Sequence, residues 1–69
     1  MSFFSDRTIL VTGACGTVGR ELVRQLLDCQ PREIRAIDTN ESEIFFLEQE
    51  LQTANRGRPH PVRTLCQIG

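Results

Sequence analysis

The sequence predicts an α/β fold in which three parallel strands are joined by two helices. Three runs rich in apolar and β-branched residues alternate with two helical segments, each longer than ten residues. Connections of this kind join parallel strands with right-handed crossovers, which gives the strand order 3-2-1 and places both helices on one face of the sheet. We therefore expect the opposite face of the sheet to be uncovered.

The first half of the chain contains a strand and a helix. The run Thr8–Thr12 ends at Gly13, and its unbroken apolar centre is typical of a strand with cover on both faces. The helix that follows stops near Pro31. Its predicted apolar stripe consists of Val18, Leu22, Leu26 and Cys29, widened by Val23 and Leu27.

The second half repeats this pattern and adds a strand. Residues 33–38 form the second strand, and Asn40 and Glu43 have the spacing of a capping box at the start of a helix that runs to about Ala54. Residues 62–68 form the third strand. The predicted buried stripe of the second helix is Ile44, Leu47, Leu51 and Ala54.

Composition excludes several classes of function. The 69 residues include 8 Arg, no Lys and 9 acids, for a net charge of -1, which argues against a nucleic-acid or anionic-membrane binder. Three cysteines without a C-x-x-C motif predict neither a disulfide framework nor a metal site. The sequence shows no signal peptide and no apolar run of about 20 residues, so we expect a cytoplasmic protein that does not contact a membrane.

A glycine-rich turn lies between the first strand and the first helix. Gly13 suits a tight turn, Gly16 a close approach of backbone to a pyrophosphate, and Gly19 close packing of the helix on the sheet. Main-chain amides and the positive end of the helix would then bind the phosphates without a lysine. Glycines also occur in turns for steric reasons alone, so the triplet by itself leaves a purely structural interpretation open.

Asp38 strengthens the functional interpretation. It ends the second strand, 25 residues after Gly13, where a carboxylate accepts hydrogen bonds from the hydroxyls of an adenosine ribose. Its charge would repel a 2'-phosphate, which favours NAD as cofactor with NADP as the alternative. The competing interpretation is that Asp38 caps the second helix.

The arrangement Thr12-Gly13-x-x-Gly16-x-x-Gly19 resembles the cofactor turn of the extended short-chain dehydrogenase/reductases. More narrowly, Val11–Ala14, Glu21–Leu26, Gln30-Pro31 and Leu47–Leu51 resemble the N-terminal part of bacterial nucleotide-sugar dehydratases of polysaccharide biosynthesis. Those enzymes are similar to UDP-N-acetylglucosamine 4,6-dehydratases. The resemblance implies a Rossmann-like half of a doubly wound parallel sheet, with residues 1–69 as the N-terminal part of a dinucleotide-binding domain, in a fragment of a longer enzyme.

The resemblance also implies roles for particular residues. Thr17 and Val18 would offer main-chain groups to the pyrophosphate beside Gly13, Gly16 and Gly19, and Asp38 with Asn40 would hold the adenosine ribose. Cys15 lies in the turn, as a tolerated neighbour of the phosphates rather than a nucleophile. The parent enzyme would be a lyase acting on a UDP-sugar. The family's Tyr and Lys pair has no counterpart here, so we expect no catalytic residue in this chain and no activity from it alone.

A second class of function stays open. The chain could be a small non-catalytic nucleotide-binding or interaction module that self-associates through the edge of its sheet, and a homo-oligomer is expected in either case. Phe45 and Phe46 point away from the helix stripe, either against the first helix or Phe3-Phe4, or as a contact surface for a partner. We expect His60 to be solvent-exposed, and Arg56 and Arg58 to lie in a solvated loop.

Overall fold

The computed structural model describes residues 5–69 and has the predicted α/β architecture. Both neighbouring strand pairs are parallel, and the order β1-β2-β3 is the predicted order 3-2-1 read from the other edge. The predicted element boundaries agree with the structure to within one or two residues. The elements are β1 (Thr8–Thr12), α1 (Thr17–Asp28), β2 (Glu33–Asp38), α2 (Glu41–Asn55) and β3 (Arg63–Ile68).

Both helices cover the same face of the sheet. Side chains alternate along a strand, so the register that pairs Val11 with Ala36 and Ile9 with Ile34 places these residues on one face. Buried side chains from both helices join them in a single cluster. Its members are Val11, Ala14, Val23, Leu26, Leu27, Ile34, Ala36, Leu47, Leu51 and Val62.

The other face of the sheet is uncovered by the residues that the structure describes, as predicted. Leu10, Arg35 and Leu65 form a row across the three strands on this face, and Leu10 is 58% exposed. The apolar run of β1, which is typical of a strand covered on both faces, therefore has one open face within residues 5–69. With helices on one side only, alternation leaves every second residue of β1 facing outward.

The predicted stripe of α1 is wrong in its first two members. Val23, Leu26 and Leu27 are buried, whereas Val18 is 82% exposed and Leu22 is 46% exposed. By helical angle, Val18 and Leu22 lie on the flank of α1 opposite to the one that faces α2. Nothing among residues 5–69 packs against that flank, because β1 is the edge strand.

The predicted start of α2 is confirmed, and its stripe is confirmed except at the end. The Oδ1 atom of Asn40 accepts a hydrogen bond from the Glu43 N–H at 3.1 Å, which makes Asn40 the N-cap. Ile44, Leu47 and Leu51 are buried, but Ala54 is exposed, because it lies in the last turn of α2.

Phe45 and Phe46 remain exposed. Each is 59% exposed, and the two rings contact each other edge to face with centroids 5.7 Å apart. The interpretation that the first helix covers them is therefore wrong. Contact with Phe3-Phe4 lies outside the described residues.

The loop between α2 and β3 makes contacts with α1 that the sequence did not predict. Arg58 donates to the Leu27 carbonyl at 3.2 Å and pairs with Asp28 at 2.8 Å, so the prediction of a solvated side chain is wrong for Arg58. The long side chain of Arg58 reaches the end of α1 because that end and the loop before β3 both lie at the amino edge of the sheet. Arg56 and His60 are exposed, as predicted.

Two further findings concern residues 5–69. None of their helices has the length and apolar character needed to cross a bilayer. They also contain no group of three His, Cys, Asp or Glu side chains placed to hold a metal ion.

Candidate functional site

The glycine-rich turn leaves β1 through a left-handed residue. Gly13 has a φ of +64°, a conformation that side-chain-bearing residues adopt rarely. The next residue, Ala14, is fully buried, and its N–H donates to the Ile37 carbonyl of β2 at 3.1 Å. The Gly16 N–H donates to the Gly13 carbonyl at 3.1 Å and closes the turn. The turn is therefore fixed to the carboxyl ends of β1 and β2.

Gly19 has the packing role that the sequence predicts for the third glycine. A Cβ atom at this position would overlap the Gly13 carbonyl oxygen and lie 3.0 Å from the Ala14 Cα. Backbone atoms cannot move aside as a flexible side chain can. The absence of a side chain at Gly19 is therefore what lets the first turn of α1 lie directly against the glycine turn.

The amino end of α1 is open to an anion. Gly16 is the N-cap and provides no side-chain cap, and the first turn contains no acidic residue. The amides of Thr17, Val18 and Gly19 have no acceptor within the helix, because no helical turn precedes them to supply carbonyl groups. Together with the helix dipole, these N–H groups favour a negatively charged group at this position.

Asp38 joins the second strand to the glycine turn. One carboxylate oxygen, Oδ2, accepts from the Cys15 N–H, and the other, Oδ1, accepts from the Asn40 N–H, each at 3.0 Å. The Asn40 amide, then the Cys15 amide and also that of Thr39 lower the pKa of Asp38 below its ordinary value, so the side chain is ionised at neutral pH. A carboxylate has about four acceptor positions, so these two bonds leave capacity for a ligand hydroxyl.

These contacts correct the competing interpretation of Asp38. The N-cap of α2 is Asn40, and Asp38 instead stabilises the turn before it through the Asn40 N–H. Asp38 also borders a cleft of about 350 Å³ at the carboxyl edge of the sheet, lined by Thr12, Gly13, Ile37, Asp38, Thr39 and Gly69. Ligands of open α/β sheets bind in this location, outside the carboxyl ends of the strands.

Cys15 has the properties of a protonated thiol. It is half-buried, and this burial is the main cause that raises the pKa of its thiol. The negative charge of Asp38 raises that pKa further. Burial also raises the pKa of Cys66 to about 11. Because thiolate is the nucleophilic form, neither environment activates its cysteine. The role of Cys15 as a tolerated neighbour of the phosphates stays a prediction.

The structure brings the predicted site residues together at one edge of the sheet. Each of these residues is a chain neighbour of another or is joined to it by a hydrogen bond. They are Gly13, Cys15, Gly16, Thr17, Val18, Gly19, Asp38 and Asn40. Sequence reasoning missed Arg20, whose guanidinium pairs with Glu43 at 2.8 Å across the two helices. Helical spacing gives no signal for a contact between residues 23 positions apart.

The fold and the site define a class of protein: a Rossmann-like α/β unit with a glycine-rich turn after β1 and an acid at the end of β2. The chain belongs to a family described as polysaccharide biosynthesis protein, whose model matches residues 9–69. This membership confirms the broader part of the resemblance predicted from the sequence, the family.

Three relatives are similar to this chain. An uncharacterized membrane protein of Methanocaldococcus jannaschii is 48% identical over 52 residues, covering 75% of this chain and 16% of the relative. The capsular polysaccharide biosynthesis protein CapD of Staphylococcus aureus is 40% identical over 64 residues, covering 93% of this chain and 11% of CapD. The probable polysaccharide biosynthesis protein EpsC of Bacillus subtilis is 42% identical over 45 residues, covering 65% of this chain and 8% of EpsC.

The chain therefore spans less than a fifth of the length of each of these relatives. No solved structure gives a significant match.

Proposed function

We propose that this chain is the NAD-binding segment of a nucleotide-sugar dehydratase or epimerase of polysaccharide biosynthesis. The observation that carries the proposal is the bond from the Cys15 N–H to Asp38, because it fixes a carboxylate beside the glycine turn at 3.0 Å. Main-chain N–H donors for the phosphates and a carboxylate acceptor for the ribose hydroxyls then lie next to each other, as a dinucleotide requires.

The described residues fit such a cofactor in three respects. Amides of Thr17 and Val18 at the uncapped end of α1 would face the pyrophosphate. The ionised carboxylate of Asp38 would accept from the ribose hydroxyls, with Asn40 beside it. The negative charge of Asp38 disfavours a 2'-phosphate, which supports NAD over NADP.

The chemistry would be divided between this segment and other parts of the enzyme. A bound nicotinamide dinucleotide supplies reversible hydride transfer, which a dehydratase uses at C4 of a UDP-sugar. The residues of this chain bind and orient the adenosine and pyrophosphate halves. They include neither Tyr nor Lys, so acid-base groups of that kind would come from elsewhere in the protein.

The proposal is tested by titrating the isotope-labelled chain with NAD⁺, NADP⁺ and AMP while amide resonances are followed by NMR. We expect shifts at residues 13–19 and at Asp38, and weak affinity, roughly millimolar, because this segment contacts the adenosine and the pyrophosphate but contributes nothing to the nicotinamide half. Unchanged resonances at residues 13–19 with all three nucleotides would refute nucleotide binding. Micromolar affinity of a monomer for NAD⁺ would refute the proposal that this chain supplies only part of the cofactor site.

A matched pair of variants tests the role of Asp38. We expect Asp38→Asn to weaken NAD⁺ binding about tenfold, because a charged acceptor for the ribose hydroxyls is lost. The same variant is expected to reduce the difference in affinity between NAD⁺ and NADP⁺, because the charge that repels the 2'-phosphate is removed. Asp6→Asn makes the same chemical change at an exposed residue near the amino edge of the sheet, and is expected to leave both affinities unchanged.

A second candidate function rests on a different observation. Leu10 is 58% exposed on β1, which is an edge strand, and this exposure favours pairing of the sheet with another chain. A non-catalytic module that self-associates would use this edge. A dimer that shows no nucleotide-induced shifts would identify an interaction module that binds no nucleotide, and would so distinguish it from the first candidate.

A further inference from the structure

The contacts of Arg20 carry an inference that rests on the proposed function. Arg20 directly follows Gly19, and its Nη2 atom pairs with Glu43 Oε2 at 2.8 Å. Its Nη1 atom lies 3.9 Å from Glu50, a second carboxylate of α2. The side chain of Arg20 is 29% exposed and that of Glu43 is 44% exposed, so this pair is more sheltered than the remaining pair between α1 and α2, Arg24 with Glu50.

The pair closes a ring of hydrogen bonds around the candidate site. The Glu43 N–H donates to Asn40 Oδ1 at 3.1 Å, and the Asn40 N–H donates to Asp38 Oδ1 at 3.0 Å. Asp38 Oδ2 accepts from the Cys15 N–H at 3.0 Å. The chain leads from Cys15 to Gly16, whose carbonyl accepts from the Arg20 N–H at 2.8 Å.

We call this circuit the Arg20 ring, and it comprises Arg20, Glu43, Asn40, Asp38, Cys15 and Gly16. Directional hydrogen bonds join its successive members, except Cys15 and Gly16, which are neighbours in the chain. Displacing the first turn of α2 would move Asn40, and with it the carboxylate of Asp38. The two helix starts and the end of β2 are thus held as one unit.

We propose that Arg20 is a positioning residue that sets cofactor affinity by fixing Asp38 against the glycine turn through Glu43. Arg20 would not need to touch the nucleotide. A simpler alternative is that the positive charge of Arg20 attracts phosphate directly. The two alternatives predict opposite effects when Glu43 is removed.

The decisive variant is Glu43→Ala, with Glu41→Ala as its matched control. Both remove one negative charge from the first turn of α2, but of these two residues only Glu43 pairs with Arg20 among the residues described. We expect Glu43→Ala to weaken NAD⁺ binding about three- to fivefold, the range for a partly exposed ion pair, while Glu41→Ala leaves it unchanged or slightly tighter. Tighter binding in Glu43→Ala would overturn the proposal in favour of direct attraction.

Three further variants examine Arg20 itself. Arg20→Gln is expected to weaken NAD⁺ binding to the same extent as Glu43→Ala. Arg20→Lys is expected to weaken it less than Arg20→Gln, because the positive charge is kept. Arg24→Gln, one turn further along α1, removes a guanidinium outside the Arg20 ring and should have no effect. Equal losses in Arg20→Gln and Arg24→Gln would overturn the proposal.

Hydrogen exchange of the Cys15 amide in the ligand-free chain gives a readout that does not depend on nucleotide. We expect exchange about threefold faster in Glu43→Ala than in Glu41→Ala, because the acceptor Asp38 is held less firmly. Equal protection in both variants would overturn the proposal. If the wild-type chain binds no nucleotide, the proposed function fails, whereas the exchange result still decides whether Glu43 fixes Asp38.

Discussion

At the scale of single residues, Asp38 and Gly19 determine the geometry of the site. Asp38 is exposed enough for a ligand, yet two backbone amides hold its carboxylate in one place. Gly19 lets two backbone segments approach more closely than any side chain permits. The sequence predicted both residues, because Gly19 has the position of the third glycine of a dinucleotide-binding turn and Asp38 that of the acid that follows at the end of the second strand.

Gly19→Ala tests the close approach. In a helix the change from Gly to Ala is ordinarily stabilising by about 1 kcal/mol, but here the new Cβ would meet the Gly13 carbonyl. We expect a net loss in the free energy of unfolding of about 1–3 kcal/mol, typical of overpacking. Urea denaturation measures it. Gly57→Ala is the control, since open space surrounds that position, and a comparable loss there would contradict the argument.

The lowered pKa of Asp38 predicts how stability depends on pH. Because the folded chain holds the pKa of Asp38 below its ordinary value of 3.8, this residue stabilises the fold above that pH. Its contribution is lost as pH falls through the pKa of the folded state. We expect wild type to be more stable than Asp38→Asn at neutral pH, with the difference vanishing in strong acid. A difference independent of pH, in urea midpoints measured from pH 7 to 2, would contradict this.

At the scale of elements, the two ends of α1 are stabilised in different ways. The amino end is left without a side-chain cap, which keeps its amides free for a ligand. The carboxyl end has no basic residue in its last turn and receives Arg58 from the loop before β3 instead. Periodicity predicted the helix, whereas it could not predict Arg58, which is 31 positions away from Leu27.

Arg58→Ala tests this second contact. Arg58 donates to the Leu27 carbonyl and pairs with Asp28, so its loss removes a partner from the last turn of α1. We expect the free energy of unfolding to fall by about 1 kcal/mol. Thermal denaturation followed by circular dichroism measures the change. Arg56→Ala, at an exposed position two residues earlier, should be neutral, and equal losses would show that Arg58 does not cap α1.

At the scale of the whole molecule, the apolar surface is incompletely buried. β1 is an edge strand, the sheet face opposite the helices is bare within residues 5–69, and Leu10, Val18 and Leu22 are exposed around that edge. Unpaired strand edges with apolar neighbours favour association with another chain. The same surface would serve either self-association or contact with other parts of a longer protein.

Self-association is tested at this edge with Leu10→Lys. We expect the wild-type chain to form dimers, and Leu10→Lys to shift the equilibrium toward monomer because a charge replaces the exposed apolar side chain. Sedimentation equilibrium measures the shift. Arg35→Lys, in the same row of the open face, keeps its charge and serves as control. A wild-type chain that stays monomeric would count against completion of the sheet by a second copy.

The sequence by itself determined the order and type of the elements, the three glycines and Asp38. These features depend on local patterns: strand and helix periodicity, turn chemistry and the spacing of a binding motif. The tertiary structure decided which apolar residues are buried, because Val18, Leu22 and Leu10 fit their patterns and yet lie where no neighbour covers them. It also decided the contacts of Arg20 and Arg58, since the partners of a long charged side chain depend on which elements the fold brings together.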